Sequence, residues 1–93
     1  MTRKQVLEAA EKCVNGDRDQ KYGSPEDNFS LIAALWSAYL ECDIGAEDVA
    51  SMMILLKVAR AASSSYEDED SWVDIAGYAA CGGEIATQNL KEG

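Results

Sequence analysis

The stretch from Glu69 to Glu84, EDSWVDIAGYAACGGE, decides the fold of this sequence. Its small residues give an unusually slim helix surface; they are Ala76, Gly77, Ala80, Cys81, Gly82 and Gly83. Each glycine costs a helix about 1 kcal/mol relative to alanine, and close approach of another helix would offset that cost. The stretch therefore predicts a tightly packed helix that starts at Trp72, behind a capping box running from Ser71 to Asp74.

A first helix is predicted at the beginning of the chain. Thr2 suits its N-cap, and Gly16 ends it. Apolar side chains then follow at three- and four-residue spacings: Val6, Leu7, Ala10, Cys13 and Val14. This spacing is typical of an amphipathic helix.

A second helix begins at Ser24, since Ser24, Pro25 and Asp27 together form a strong helix start. The helix ends near Glu41. Its predicted buried stripe consists of Phe29, Ile32, Ala33, Trp36 and Leu40, widened by Leu31 and Leu35.

A third helix follows the turn CDIGAED, with Asp43 or Gly45 at its entrance. The stretch VASMMILLKVARAA, residues 49–62, is apolar nearly all round. Such a pattern indicates a helix enclosed by neighbours or shared with another subunit, and we expect it to be the central helix.

The four patterns predict an all-α, four-helix bundle-like single domain spanning residues 1–93. A chain of 93 residues buries a modest fraction of its surface, so we expect a homo-oligomer.

The formal net charge is −9, from 17 acidic and 8 basic residues. It argues against direct binding to nucleic acid or an anionic membrane, although an acidic surface can imitate a nucleic-acid backbone. No apolar run approaches the ~20 residues of a membrane span, so we expect a cytoplasmic protein. Cys13, Cys42 and Cys81, without any histidine, predict small buried side chains rather than disulfides or a zinc site.

Asp74 has two interpretations. It can close the capping box, or it can join Asp70, four residues earlier, as a ligand of Mg²⁺. Glu8 and Glu11 also share one helical face, but Lys4 and Lys12 lie at ion-pairing distances in sequence, so we interpret them as solvated charges.

Lys57 and Arg60 are the only charged residues in the apolar stretch of the third helix, residues 49–62. They must reach water, a carboxylate or a ligand. Two hypotheses stay open: pairing with acids such as Asp74 or Asp70, and contact with a phosphate.

The connection DRDQKYGSP, after the first helix, is long for a mere link. Arg18 and Tyr22 within it, and Asn28 just beyond it, could close over a ligand, although a tyrosine packed on the bundle end is the commoner arrangement. Tyr78 completes the predicted ligand contacts.

Four segments together resemble a family of small phage and prophage helical proteins of unknown function, which are similar to MazG-type nucleotide pyrophosphohydrolases. These segments are RDQKYGSPEDNF, LWSAYL, DVASMMILLKVAR and DSWVDIAGYAA. The resemblance implies an oligomeric helical fold that binds a nucleotide, with Asp74 and Asp70 on magnesium and with Lys57 and Arg60 on phosphates.

The EExxE motif of the enzymes is absent, and we assign no catalytic residue. The first functional hypothesis is therefore binding of a nucleotide-like phosphate ligand, with or without Mg²⁺-dependent pyrophosphohydrolysis. The alternative is a phage counter-defence protein, which sequesters a nucleotide signal or blocks a host defence protein with its acidic surface. A purely structural interaction module is the third possibility.

Overall fold

The computed structural model describes residues 1–16 and 24–92, with side chains described as far as residue 88. Within these ranges the chain forms four α-helices and no β-strand: α1 (Arg3–Asn15), α2 (Pro25–Leu40), α3 (Ala46–Ser63) and α4 (Glu69–Glu92). The all-α prediction is confirmed. None of the described helices is long and apolar enough to cross a lipid bilayer.

The first two helices begin where their capping residues predict. Thr2 Oγ1 accepts a hydrogen bond from the Gln5 backbone N–H at 3.1 Å, and Gln5 Oε1 accepts one from the Thr2 N–H at 2.8 Å. Ser24 Oγ likewise accepts from the Asp27 N–H at 3.2 Å. These contacts satisfy backbone donors that have no partner inside the helix.

The turn into α3 is fixed by one serine of α2. Ser37 Oγ accepts a hydrogen bond from the Ile44 N–H at 2.9 Å and donates one to the Ile44 carbonyl at 3.1 Å. Gly45, one of the two predicted entrance residues, is the N-cap of α3, and its N–H donates to Asp48 Oδ2 at 2.9 Å.

The predicted start of α4 at Trp72 is wrong, because the helix begins three residues earlier, at Glu69. Asp68 stands before its first turn, and Asp68 Oδ1 accepts a hydrogen bond from the Asp70 N–H at 3.2 Å. The hydroxyl of buried Ser71 donates to Asp68 Oδ2 at 2.6 Å. Asp68 therefore performs the capping role that the sequence suggested for Ser71 and Asp74.

The central helix is α4, which packs against α1, α2 and α3. The prediction that α3 is central is wrong, since α3 packs mainly against α2 and α4 and leaves Leu55 and Leu56 exposed. The small residues of α4 explain its position, because a slim helix allows three others to approach it closely.

The core lies where α2, α3 and α4 meet. Its buried residues are Phe29, Ala33, Val49, Ala50 and Cys81. At Gly82 an added Cβ would lie 2.9 Å from the Cβ of Ala50, whereas at Gly83 it would meet nothing within 4 Å. The predicted close helix approach is thus present at Gly82 and absent at Gly83.

Several predicted core residues are exposed. They are Leu7 on α1, Leu31, Leu35 and Leu40 on α2, and the cysteines Cys13 and Cys42. Apolar spacing shows which residues share a face, but burial depends on a neighbour. Each of these helices is covered on only part of its circumference by the described residues.

Two helices end with residues in the left-handed region. Glu41, after α2, has φ 55°, and Ser65 and Tyr66, after α3, have φ 56° and 64°. The Tyr66 N–H donates to the Ala61 carbonyl at 2.7 Å and the Ser65 N–H to the Ala62 carbonyl at 3.3 Å. This is the Schellman arrangement, in which glycine usually occupies the position of Ser65.

Candidate functional site

An ion pair joins α3 to α4 at the edge of a cleft beside the core. Lys57 Nζ lies 2.8 Å from Asp74 Oδ2. The Lys57 side chain is 14% exposed and that of Asp74 37% exposed. Asp74 lies in the second turn of α4, so it is not the helix cap. The pairing hypothesis for Lys57 is confirmed.

A cleft of about 150 Å³ lies where α1 and α2 meet the middle of α4. Its lining is mostly apolar and comprises Cys13, Val14, Phe29, Val73, Asp74, Gly77, Tyr78 and Cys81. Asp74 is the only carboxylate among them. One oxygen of that group contacts Lys57, so the cleft combines an apolar wall with one side of an ion pair.

Aromatic rings form one wall of the cleft. The rings of Phe29 and Tyr78 have planes inclined by 36° and centroids 6.1 Å apart, a distance within the range that aromatic pairs favour. Opposite them, Val14 approaches α4 at Gly77, where an added Cβ would lie 3.4 Å from Val14 Cγ1. A small residue at Gly77 therefore keeps α1 close to the cleft.

Arg60 is exposed and stands apart from the cleft lining, near the end of α3. Asp68 is close enough for the Arg60 charge to act on it. The pKa of Asp68 is lowered from its ordinary value, chiefly because the Ser71 hydroxyl donates a hydrogen bond to the carboxylate; backbone hydrogen bonds and Arg60 add smaller effects in the same direction.

Four of the six predicted ligand contacts lie among the described residues, and the cleft does not bring those four together as a set. Tyr78 lines the cleft, and Lys57 is paired with Asp74, which also lines it. Asn28 is half-buried in the first turn of α2 but is not part of the lining. Arg18 and Tyr22 lie outside the described residues, so their predicted role stays a prediction.

The predicted magnesium ligands, Asp70 and Asp74, both lie on α4, with Asp70 exposed. Among the described residues, no three histidine, cysteine, aspartate or glutamate side chains form a group that could hold a metal ion. Glu8 and Glu11 are exposed on α1, with Glu8 paired to Lys4 at 3.9 Å. The described carboxylates therefore fit Mg²⁺ only if the ion brings its remaining oxygen ligands with it.

Sequence reasoning missed the apolar part of the cleft. Phe29, Val14 and Cys81 were interpreted as core residues, and Cys13, interpreted as buried, is exposed at the cleft instead. The signal that could have located the cleft is the run of small residues around Gly77, because a slim helix surface leaves a gap wherever its neighbours diverge.

Comparison with known proteins places the chain among phage proteins. A family model described as "Domain of unknown function (DUF6378)" matches residues 5–86. The Gene 55 protein of Mycobacterium phage D29 is 47% identical over 76 residues, which cover 82% of this chain and 50% of the relative. The Gene 55 protein of Mycobacterium phage L5 is 49% identical over 75 residues, covering 80% of this chain and 47% of the relative.

The chain thus spans about half the length of these relatives. No solved structure matches it. The names of the family and of its members state no activity, so the resemblance to MazG-type pyrophosphohydrolases stays a prediction. The match over most of the chain shows that this phage-type protein belongs to the DUF6378 family of domains of unknown function.

Proposed function

We propose that this protein binds a nucleotide-like phosphate ligand at the cleft between α1, α2 and α4. The observation that carries the proposal is the position of the Lys57–Asp74 pair, which stands at the edge of an otherwise apolar, aromatic-walled cleft. Concave apolar sites with a few convergent polar groups are the usual form of small-molecule sites.

The size of the cleft suits one part of such a ligand. A cavity of about 150 Å³ accommodates a single aromatic ring. A nucleobase would contact Phe29 and Tyr78. The sugar and the phosphates, which the cleft is too small to enclose, would extend into solvent.

The phosphates would compete with Asp74 for the Lys57 ammonium. A side chain that is 14% exposed loses much of its hydration, so its charge needs a partner in both the free and the bound protein. Asp74 supplies that partner in the free protein. Arg60, exposed one helical turn further along α3, would add a second positive charge near an extended phosphate chain.

Magnesium would enter with the ligand. Mg²⁺ is commonly held by one or two carboxylates together with phosphate oxygens and water, and Asp74 with Asp70, four residues earlier on α4, would provide such carboxylates. Binding alone needs no further group. Mg²⁺-dependent pyrophosphohydrolysis, the enzymatic form of the proposal, requires in addition that nucleoside triphosphates yield pyrophosphate.

A thermal-shift screen against nucleoside triphosphates and cyclic dinucleotides, each with and without Mg²⁺, tests the proposal. A ligand at 100 times its Kd stabilises the folded protein by about 2.7 kcal/mol. We expect a hit for the wild type, a much smaller shift for Lys57→Met, and an unchanged shift for Lys4→Met, whose lysine pairs with Glu8 on the surface of α1. Absence of any shift across the panel contradicts the proposal.

A second candidate is a counter-defence protein that presents its acidic surface to a host protein. The observation favouring it is the uneven placement of acids, with four consecutive carboxylates from Glu67 to Asp70 at the start of α4. A competition assay with nucleic acid distinguishes the two candidate functions. The second candidate is supported if the wild type displaces DNA from a host protein and no nucleotide causes a thermal shift.

A further inference from the structure

The outward sides of α2 and α3 carry apolar side chains that no described part of the chain covers. On α2, Leu31, Leu35 and Tyr39 follow one another at intervals of four residues; on α3, Leu55 and Leu56 lie three and four residues after Met52. All six are exposed, with Leu55 at 67% and Tyr39 at 87%. These six residues are called the outer rows.

The chain exposes more surface than a monomer of its mass usually does. The chain exposes 6642 Å², whereas a monomer of 10.1 kDa exposes about 5,300 Å². The excess is larger than the roughly 800 Å² that each partner buries in a stable complex.

The distribution of acidic residues indicates which kind of molecule binds the outer rows. None of the 17 acidic residues lies within residues 28–40 or 49–66, the segments that carry the outer rows. A basic partner would be recognised through carboxylates, which this surface lacks. A second copy, with a net charge of −9, can approach only where acids are absent, because like charges across an interface are strongly unfavourable.

We infer that the outer rows form the interface through which two copies of this chain associate. The rows lie on α2 and α3, whereas α1 lies on another side of α4, so association leaves the exposed face of α1 free. The inference does not depend on the ligand cleft. It explains why leucines whose spacing predicted a buried position are exposed in the single chain.

Analytical ultracentrifugation of the full chain tests this inference. We expect the wild type to sediment as a dimer, Leu35→Glu and Leu55→Glu to shift it to monomer, and Leu7→Glu to leave the dimer intact. Leu7 is the matched control, since it is 66% exposed but lies on α1. A wild type that is monomeric at every concentration overturns the inference, whether the outer rows stay exposed or bind a different protein. Loss of the dimer in Leu7→Glu alone also overturns it.

If the glutamate variants fail to fold, the dependence of the wild-type Tm on protein concentration provides a second test. The Tm of a dimer rises with protein concentration, whereas the Tm of a monomer does not. We expect the wild-type Tm to rise over a hundredfold range of concentration. A constant Tm contradicts association through the outer rows.

Discussion

Lys57 Nζ and Asp74 Oδ2 lie 2.8 Å apart, and this contact ties α3 to α4 at the edge of the cleft. The two partners differ in exposure, because the lysine is nearly enclosed and the carboxylate reaches solvent. Asp74 therefore acts between helices, and its place in the sequence near a helix start does not make it a cap.

The difference in exposure predicts unequal effects of removing each partner. Asp74→Asn leaves a poorly hydrated ammonium without its counter-charge and should destabilise the fold by about 1–2 kcal/mol. Lys57→Met leaves a carboxylate that water can reach, and should change stability by only about 0.5 kcal/mol because solvent screens the pair. Urea denaturation of both variants measures this, with Asp70→Asn as the exposed control. Equal losses in the three variants would contradict this description of the pair.

Neighbouring glycines in α4 should respond in opposite directions to alanine. Gly82→Ala places a methyl group 2.9 Å from the Cβ of buried Ala50, so α3 and α4 must move apart, and the loss should be about 1–3 kcal/mol. Gly83→Ala meets open space and should stabilise by about 1 kcal/mol through helix propensity. Thermal unfolding of the two variants gives the comparison. Stabilisation by both would mean that the helices are not in close contact at Gly82.

The end of α3 offers a stabilising substitution. Ser65 has φ 56°, a conformation that a residue with a Cβ adopts at a cost and that glycine adopts freely. Ser65→Gly should stabilise the protein by about 0.5–1 kcal/mol. Ser63→Gly, within the last turn of the helix, should destabilise it instead. Circular dichroism during urea titration distinguishes them, and a loss of stability in both would argue against the left-handed turn.

The contact between Ser71 and Asp68 predicts a pH dependence. A lowered pKa in the folded state means that this contact stabilises the protein above the ordinary pKa of an aspartate, and that the stabilisation is lost as pH falls through the lowered value. Ser71→Ala removes the principal donor. We expect the Tm of the wild type to exceed that of Ser71→Ala at pH 7, and the difference to shrink as the pH falls below the ordinary pKa of an aspartate. A difference that stays constant with pH would show that the hydrogen bond to the ionised carboxylate is not its source.

The sequence could predict what depends on residues close together in the chain. Thr2 and Ser24 cap helices through donors only three residues away, and both predictions are confirmed. The predicted start of α4 was wrong because two capping patterns overlap there, one formed by Asp68 with Ser71 and the other by Ser71 with Asp74. Local rules do not distinguish them; the buried position of Ser71 does.

What depends on packing between helices could be predicted only in part. A lone lysine in an apolar helix has to find a partner, which is why pairing of Lys57 with Asp74 could be expected. The exposure of Leu31 and Leu35 could not, since the same spacing describes a buried stripe and an interface. The cleft depends on how α1 lies against α4, and no spacing within either helix encodes that arrangement.

Backbone NMR during titration with adenosine triphosphate, with and without Mg²⁺, shows whether the cleft binds a nucleotide-like ligand. We expect saturable shifts of the Asp74, Gly77 and Tyr78 amides on α4 and of Val14 on α1, with Gly83 unmoved as an internal control. No shifts at millimolar nucleotide, or shifts confined to residues away from the cleft, would contradict it.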